Sequence, residues 1–197
     1  ATADGVLNAR ISGVSSDRAR AGVWRRARDA DIPACALDPK TFDSRDAFDA
    51  ALFAEIAKAA PDLIVCAGYL RLLTPDVVEA WRGRMLNIHP SLLPAFKGLR
   101  THQRALEAGV AEHGASVHFV TPDVDGGPVL AQARVPVLPR DDASTLAARV
   151  LGREHPLLVR SLRLLASGRA TLHGDCVRLD GMPLRTPLQL TANNALA

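Results

Sequence analysis

Asn87 and His89 lie two residues apart in the stretch MLNIHPSLLPAFKG, which spans residues 85–98. Side chains alternate between the two faces of a strand, so these two side chains would point to the same face. Pro90 would end the strand, because proline has no N–H to donate to a sheet ladder. The pattern predicts an amide beside an imidazole at the carboxyl end of a strand, where open α/β sheets bind their ligands. A strand end with two structurally satisfied polar side chains is the alternative interpretation.

A carboxylate is the third candidate group, because Asp125 lies in the stretch VDGGP at residues 124–128. A carboxylate near His89 would favour the imidazolium and fix the orientation of the ring. The amide of Asn87 would donate to a developing oxyanion, which is worth roughly 3 kcal/mol in known enzymes. The paired glycines would let backbone approach a ligand closely. Taken alone, Asp-Gly-Gly is also an ordinary turn sequence.

These three side chains together predict acyl transfer without a covalent nucleophile on the protein. An amine would attack a carbonyl carbon, and Asn87 and His89 would stabilise the tetrahedral oxyanion. Protons would move through His89, Asp125 or water.

The remaining histidines carry less chemistry. His118 shares a strand face with Ser116, and we expect it to be a structural histidine with satisfied hydrogen bonds. No spacing of histidines and carboxylates matches a metal site, so we expect no metal. The sequence suggests no partners for the other four histidines, which are His102, His113, His155 and His173.

Composition indicates one globular domain with a peripheral hairpin or tail at about residues 168–197. The chain has 197 residues, of which 48% are hydrophobic and 23% charged, as in soluble globular proteins. No apolar run approaches the ~20 residues that span a bilayer, and no secretory signal begins the sequence. Three cysteines (Cys35, Cys66 and Cys176) lie far apart, which favours a reducing, cytoplasmic location. We expect Cys66 to be a small core residue.

The net charge of +3 comes from 24 basic and 21 acidic residues, and arginines crowd residues 18–29. A solvated helix face explains that stretch better than a nucleic-acid surface, because aromatic residues for stacking are few. A modest positive charge also suits small anionic substrates. We therefore expect no nucleic-acid or membrane partner.

The first part of the chain alternates short apolar runs with helical patterns, which predicts parallel βαβ units. The expected fold is α/β, with a Rossmann-like, mostly parallel sheet and flanking helices. The run LIVCAG is typical of a strand covered on both faces. The predicted strands are 9–14, 34–37, 63–68 and 85–89, and the predicted helices are 17–30, a helix capped by Asp43 or Ser44 and running to Ala60, and 75–81.

After residue 98 the pattern predicts a short helix at 101–109 and two antiparallel strands at 115–120 and 129–137. A long helix would begin at Asp142 or Ser144 and run toward Ala166, with Pro156 kinking or dividing it. A hairpin would follow at residues 170–181.

Three long stretches resemble one enzyme family, the folate-dependent phosphoribosylglycinamide (GAR) formyltransferases of purine synthesis. They are DLIVCAGYLRLLTP (62–75), MLNIHPSLLPAFKGLRTHQRALEAG (85–109) and HGASVHFVTPDVDGGPVLAQ (113–132), supported by FDSRDAF (42–48) and GREHPLL (152–158). The resemblance weakens after about residue 165. It implies the formyltransferase fold and transfer of formyl from 10-formyltetrahydrofolate to the amine of GAR, by a cytoplasmic monomer or homodimer.

The resemblance also implies roles for individual residues. Asn87, His89 and Asp125 match the catalytic residues, with the aspartate raising the basicity of the histidine, and Ser116 matches a supporting serine. Leu151, Gly152, Arg153 and Glu154 match the part that holds the ribose side of GAR. The implied folate-binding positions are Arg45, Leu70, Arg71, Leu72, Leu73, Asn87, Thr121, Pro122, Asp123, Val124 and Asp125.

The N-terminus departs from this family. Its members begin with a strand and a glycine-rich loop that binds the GAR phosphate through backbone amides. The printed sequence enters partway, at ATADGVLNAR, so we expect the first strand and that loop to be missing from it.

Three rival functions stay open at this point. Formyltetrahydrofolate deformylases use water in place of the amine. Methionyl-tRNA formyltransferases have a longer chain with a C-terminal RNA-binding domain. A folate-binding relative without turnover is the non-enzymatic alternative.

Overall fold

The computed structural model describes residues 2, 5–18 and 22–197. It contains five α-helices and ten β-strands within these residues. They are β1 (Val14–Ser16), α1 (Val23–Asp29), β2 (Ala34–Ala36), α2 (Arg45–Lys58), β3 (Ile64–Ala67), α3 (Pro75–Ala80), β4 (Met85–His89), α4 (Thr101–Glu107), β5 (Glu112–Phe119), β6 (Val129–Pro136), α5 (Ala143–Ala166), β7 (Ala170–His173), β8 (Cys176–Leu179), β9 (Met182–Pro183) and β10 (Leu188–Gln189), with a 3-10 turn at Pro39–Thr41.

The main sheet has five strands in the order β10-β6-β5-β4-β3. The outer pairs β3–β4 and β6–β10 are parallel, whereas β4–β5 and β5–β6 are antiparallel. Strands β1 and β2 form a separate parallel pair, and β7–β9 form a small antiparallel sheet that contains the predicted hairpin. The expected α/β architecture with flanking helices is confirmed, and its main sheet is mixed.

Two apolar clusters hold the helices on the sheet. The larger one packs α5 against β5 and β6, and includes Phe119, Leu130, Leu146 and Leu157, all fully buried. The smaller one joins α2 to β4 through Phe48, Leu52, Phe53 and Met85, with Cys66 packed against it. Burial also raises the pKa of the Cys66 thiol to about 12, as expected for a core cysteine.

Side-chain caps fix where the two longest helices begin. The Oγ of Ser44 accepts a hydrogen bond from the N–H of Ala47 at 3.1 Å. The carboxylate of Asp142 accepts from the N–H groups of Ser144 and Thr145, and the Thr145 hydroxyl completes a capping box. Such caps are worth about 1 kcal/mol each. Of the two starts predicted for each helix, these are the ones observed.

Several predicted element boundaries are wrong. The first strand covers residues 14–16 rather than 9–14, because only that part pairs with β2. The described part of α1 begins at residue 23, and residues 19–21 of the predicted helix lie outside the described residues. The arginines of α1 are exposed while Ala27 is buried, which confirms a solvated helix face.

Two expectations about packing also fail. Strand β3 alternates between half-buried and exposed residues, with Val65 and Ala67 exposed, because a run of apolar residues does not determine what covers each face. The predicted division of helix α5 at Pro156 is wrong, because the helix continues through that residue, with Leu146, Val150 and Leu157 packed along its length. The kink expected at Pro156 stays a prediction. No helix in the described ranges has the length and apolar composition to span a membrane.

Candidate active site

Asp125 lies at the centre of a group of polar side chains contributed by β4, β5 and the loop between β5 and β6. Its Oδ2 lies 3.3 Å from Nδ1 of His89 and accepts the N–H of Gly98 at 2.8 Å. Its Oδ1 lies 3.4 Å from Nδ2 of Asn87 and 3.5 Å from Nε2 of His118. The side chain is only 12% exposed. The predicted convergence of Asn87, His89 and Asp125 is therefore confirmed as geometry.

Strand pairing brings the β4 and β5 side chains to one face. Asn87 pairs with His118, and His89 pairs with Ser116. Directly opposed residues of an antiparallel pair share a face. All four side chains consequently lie on the face toward which the 121–127 loop folds back with Asp125.

The backbone of that loop is unusual where it carries the carboxylate. Asp125 has a φ of +46°, in the left-handed region that costs non-glycine residues energy. A Cβ at Gly127 would lie 1.9 Å from the carbonyl oxygen of Phe119. Glycine is thus required at position 127 by a close backbone contact within the protein, and the close approach of the paired glycines to a ligand stays a prediction.

Hydrogen bonding fixes the ring orientation of His89. Its Nε2 lies 3.1 Å from the carbonyl oxygen of Phe96, and a carbonyl only accepts. On the other side of the ring, Nδ1 faces the Asp125 carboxylate, which when ionised also only accepts. Both ring nitrogens therefore face acceptor oxygens, and the imidazolium can donate to both.

Burial largely decides the protonation of this pair. Burial lowers the pKa of His89, and the Phe96 carbonyl and the Asp125 carboxylate offset only part of that effect. We expected the carboxylate to hold the cation, so the net direction corrects that expectation. For Asp125, burial opposes ionisation, yet hydrogen bonds from His118 and the Gly98 N–H, with the neighbouring histidine charges, hold its pKa below the usual value. The free site therefore contains a carboxylate beside a neutral imidazole at neutral pH.

His118 is buried with both ring nitrogens hydrogen-bonded, as predicted for a structural histidine, and it also borders the site. Its Nδ1 lies 2.9 Å from the carbonyl oxygen of Phe119, and its Nε2 lies 3.2 Å from Nδ2 of Asn87. The same Nε2 faces Asp125. The structure thus places His118 against two of the three predicted catalytic side chains.

Ser116 is fully buried and fills all its hydrogen-bonding capacity. Its Oγ donates to the carbonyl of Ser91 at 2.7 Å and accepts the N–H of Leu93 at 3.0 Å. It also accepts Nε2 of Gln132 at 3.0 Å. Ser116 therefore supports the turn that follows His89, in keeping with the supporting position predicted for it.

The predicted folate positions flank the same end of β4. Segment 70–73 follows β3, which runs parallel to β4 with Ala67 beside Ile88, so both strands end at one edge of the sheet. Leu70 and Leu72 are exposed, whereas Leu73 packs on the smaller cluster. The guanidinium of Arg71 lies 5.0 Å from the centre of the Phe48 ring. Their ligand roles stay predictions.

Other predicted folate positions are more open. Arg45 begins α2 with a loose, exposed contact to Asp46 at 4.0 Å. Val124 is exposed, and the hydroxyl of Thr121 reaches the carbonyl of Asp123 at 3.5 Å. Thr121, Pro122 and Val124 lie in the loop that carries Asp125, and Pro122 and Val124 are exposed there.

The four residues predicted to hold the ribose lie on α5 but differ in what they contact. Leu151 and Gly152 are exposed. Burial raises the pKa of Glu154, partly offset by His155. The guanidinium of Arg153 bonds to Asn194 at 2.7 Å and to the carbonyls of Leu190 and Thr191 at 3.1 and 2.6 Å. Arg153 thus ties the C-terminal segment to α5. Among the described residues, the side chains of Leu151 and Glu154 make no such hydrogen bonds, and Gly152 has no side chain.

No group of three or more potential metal ligands occurs in the described ranges of the chain. Sequence reasoning missed His118 and the backbone groups of Phe96 and Gly98 that bracket the site. The strand alternation around Ser116 was the one sequence signal that could have placed His118 near the site. The backbone groups of Phe96 and Gly98 leave no such signal in the sequence.

Comparison with known proteins identifies relatives for most of the chain. Residues 1–162 match the model of a family described as formyl transferase. A phosphoribosylglycinamide formyltransferase of Escherichia coli is 47% identical over 174 residues, which cover 88% of this chain and 82% of that protein.

Solved structures agree with this similarity. A phosphoribosylglycinamide formyltransferase from Coxiella burnetii is 45% identical with a TM-score of 0.88, covering 93% of this chain and 86% of the other. A formyltetrahydrofolate deformylase from Pseudomonas syringae shares 28% identity with a TM-score of 0.81, covering 90% of this chain and 58% of that one.

Proposed function

Because the chain belongs to the formyl transferase family, we propose that it transfers the formyl group of 10-formyltetrahydrofolate to the amine of GAR in purine biosynthesis. The close relatives named for this reaction support the overall activity. The observation that supports the chemistry is the Asp125 carboxylate 3.3 Å from Nδ1 of the buried His89. Together the neutral imidazole and the carboxylate can take up one proton.

Amine attack requires such a proton acceptor. When the GAR nitrogen bonds to the formyl carbon, it becomes positively charged and must lose a proton, while the formyl oxygen becomes negative. The proton passes to the His89–Asp125 pair, where it lies between Nδ1 and Oδ2. The C–N bond to the folate then breaks, and the same proton is returned to the departing folate nitrogen.

The amide of Asn87 is the group suited to the formyl oxygen. It is half-buried at the carboxyl end of β4, and its Nδ2 is a neutral donor beside Asp125. Removing one preorganised oxyanion donor costs about 3–4 kcal/mol in known enzymes. Once protonated, the His89 ring adds a positive charge next to the same oxygen.

The two substrates approach from different sides in this proposal. The folate lies against segment 70–73 and the 121–125 loop, with Arg45 and Asn87 completing its contacts. The ribose side of GAR lies along Leu151, Gly152 and Glu154 of α5, whose partly buried carboxylate would accept hydrogen bonds from ribose hydroxyls. The absence of a metal from the reaction stays a prediction. The cytoplasmic location and the monomeric or homodimeric state stay predictions.

The deciding experiment follows loss of formyl from 10-formyltetrahydrofolate by the purified chain, with and without GAR. Loss that requires GAR, with formyl recovered on GAR, supports the transferase. Equal loss without GAR would identify a hydrolase, the second candidate favoured by the similarity to a deformylase. Absence of loss in both reactions would overturn the proposed function.

A further inference from the structure

The guanidinium of Arg153 makes its hydrogen bonds with the C-terminal segment of the chain. Its Nη1 donates to Oδ1 of Asn194 at 2.7 Å, and its Nη2 donates to the carbonyls of Leu190 and Thr191 at 3.1 and 2.6 Å. Arginine presents its N–H groups in a rigid fork, so three acceptors on one segment fix the guanidinium and the segment together. The proposed chemistry uses none of these contacts.

The three acceptors belong to a short C-terminal hairpin, residues 189–197. Backbone hydrogen bonds run in both directions between Gln189 and Ala197, at 2.8 and 3.1 Å, and the N–H of Asn194 donates to the carbonyl of Thr191 at 3.0 Å. Asn194 has a φ of +57°, in the left-handed region that asparagine tolerates better than most residues. Asn194 therefore suits both the turn of the hairpin and the contact with the arginine.

The C-terminal hairpin is also fixed to the main sheet. Strand β10 pairs in parallel with β6, and the N–H of Leu190 donates to the carbonyl of Gln132 at 2.8 Å. The side chain of Leu190 is buried in the larger apolar cluster. The hairpin thus has a defined position on the sheet, and Arg153 connects that position to helix α5.

Arg153 and Glu154 are consecutive residues of α5. Consecutive residues of an α-helix are separated by about 100° around the axis and about 1.5 Å along it, so holding one of them also fixes the direction of the next. Glu154 is half-buried, and within the described part of the chain its carboxylate has no hydrogen bond of its own. Its direction therefore depends on how the helix turn that carries it is held.

We propose that Asn194 is a positioning residue that, through Arg153, holds the 151–154 turn of α5 so that Glu154 points toward the ribose of GAR. This inference rests on the proposed function for its effect on substrate binding. It makes the C-terminal hairpin part of the support for one of the two substrates. The folate donor approaches from a different side in the proposed complex, so its binding should not depend on Asn194.

The test compares Asn194→Gly with the wild-type chain. Glycine adopts a positive φ without strain, so the variant removes the acceptor of Arg153 and keeps the turn. Asn194 is only half-buried, close to the end of the chain, so the variant should fold. We expect KM for GAR to rise about threefold to tenfold, part of what a hydrogen bond to a charged group contributes. Both kcat and KM for the folate donor should stay close to the wild-type values.

Asn193→Gly is the matched control, because Asn193 is the exposed neighbour in the same hairpin. It adds the same backbone freedom and leaves the contact between Arg153 and Asn194 in place, so KM for GAR should not change. Asn194→Asp is the rescue variant, since it keeps an acceptor oxygen and tolerates the same φ. Equal rises in KM for GAR in Asn193→Gly and Asn194→Gly would overturn the inference, because they would show only the effect of a loosened hairpin.

The double variant Asn194→Gly/Glu154→Ala tests the route of the effect. Glu154→Ala alone should raise KM for GAR by removing the ribose contact. With no carboxylate left to position, adding Asn194→Gly should cause no further rise, which is the non-additivity expected of two residues that act through one contact. Additive rises in KM for GAR would overturn the inference.

A second readout needs no turnover. Burial raises the pKa of Glu154, and a loosened 151–154 turn would expose its carboxylate to water. Carbon-13 NMR titration, with the Glu154 signal assigned by its absence from Glu154→Ala, should give a lower pKa in Asn194→Gly than in the wild type. An unchanged pKa in folded Asn194→Gly would overturn the inference. Failure of formyl transfer by the wild type would count against the proposed function, and not against the positioning of Glu154 by Asn194.

Discussion

Nδ1 of His89 and Oδ2 of Asp125 lie 3.3 Å apart, while Nε2 of the same ring lies 3.1 Å from the carbonyl oxygen of Phe96. Both ring nitrogens face acceptor oxygens, so the ring can accept a second proton and donate hydrogen bonds from both nitrogens. Substrate attack releases such a proton. The His89–Asp125 pair is suited to accept this proton, which leads to predictions on the reaction rate and on the pH dependence of that rate.

Replacing the carboxylate by an amide should remove the proton acceptor and leave the fold in place. The Asn oxygen of Asp125→Asn can still accept the N–H of Gly98, so the loop keeps its anchor. We expect kcat to fall by about 10²–10⁴-fold, the usual contribution of general acid–base catalysis, with a thermal midpoint near that of the wild type. A folded variant with the wild-type kcat would exclude the proposed role.

The pKa of His89 should be lower in Asp125→Asn than in the wild type. Burial lowers the pKa of His89, and the Asp125 carboxylate works against that effect by favouring the cation. Asp125→Asn removes the favourable charge, so the pKa of His89 falls further. Histidine NMR titration of both proteins measures it, and a rise in the variant would contradict the assigned interaction.

The pH dependence of the wild-type rate follows from the lowered pKa of His89. His89 must be neutral to accept a proton, so kcat/KM should fall as pH drops below the pKa of His89. Because burial places this pKa under the ordinary histidine value of about 6.5, the acid limb should have its midpoint below that value. Initial rates between acidic and neutral pH measure the midpoint, and one clearly above the ordinary value would refute the prediction.

A second buried histidine should make folding sensitive to acid. His113 is 1% exposed, and within the described part of the chain neither ring nitrogen has a hydrogen-bond partner. Its ring packs edge-on against Phe96 and His102. Burial, with the neighbouring His102 charge, lowers its pKa to about 4.

The sign of the effect follows from this depressed pKa. Between about pH 6.5 and pH 4 the unfolded chain binds a proton at this position that the folded chain does not. The free energy of unfolding should therefore decrease as pH falls through this window and level off below it. Up to about 2 kcal/mol is expected between pH 7 and pH 4.5.

Urea unfolding of the wild type and His113→Leu at those two pH values measures the contribution. Leucine cannot take up a proton, so the loss of stability between the two pH values should be smaller in the variant. Equal losses in the two proteins would show that the protonation of His113 does not destabilise the fold.

Much of the site could be predicted because it depends on local alternation. Asn87 and His89 share a face in β4 as the two-residue spacing requires, and the turn residues around Asp125 indicated a loop. We also expected the Asp125 carboxylate to lie close to Asn87 and His89, and the structure confirms this proximity.

The parts that could not be predicted depend on strand register and burial. The pairing of His118 with Asn87 follows from how β4 and β5 align, which no single segment encodes. The exposed face of β3 depends on what packs beside it, and the lowered pKa of His89 depends on how deeply the site is buried. Local sequence specifies none of these three quantities.

Asp49 provides the last prediction, because this fully buried carboxylate holds the proposed folate segment from behind. Its Oδ2 accepts the N–H of Thr74 at 2.8 Å, at the end of segment 70–73 and the start of α3. Burial raises the pKa of Asp49, against the effects of the Thr74 N–H and the charge of Arg45. Asp49→Ala should lower the free energy of unfolding by about 1–3 kcal/mol.

The same variant should raise KM for the folate donor more than KM for GAR, since only the donor lies against segment 70–73 in the proposed complex. Asp49→Asn is the matched control, because its amide oxygen can still accept the Thr74 N–H and should restore most of the stability and the wild-type KM. Steady-state kinetics with each substrate varied in turn make the comparison. Equal changes in both KM values would show that Asp49 supports the fold as a whole and has no particular effect on the folate segment.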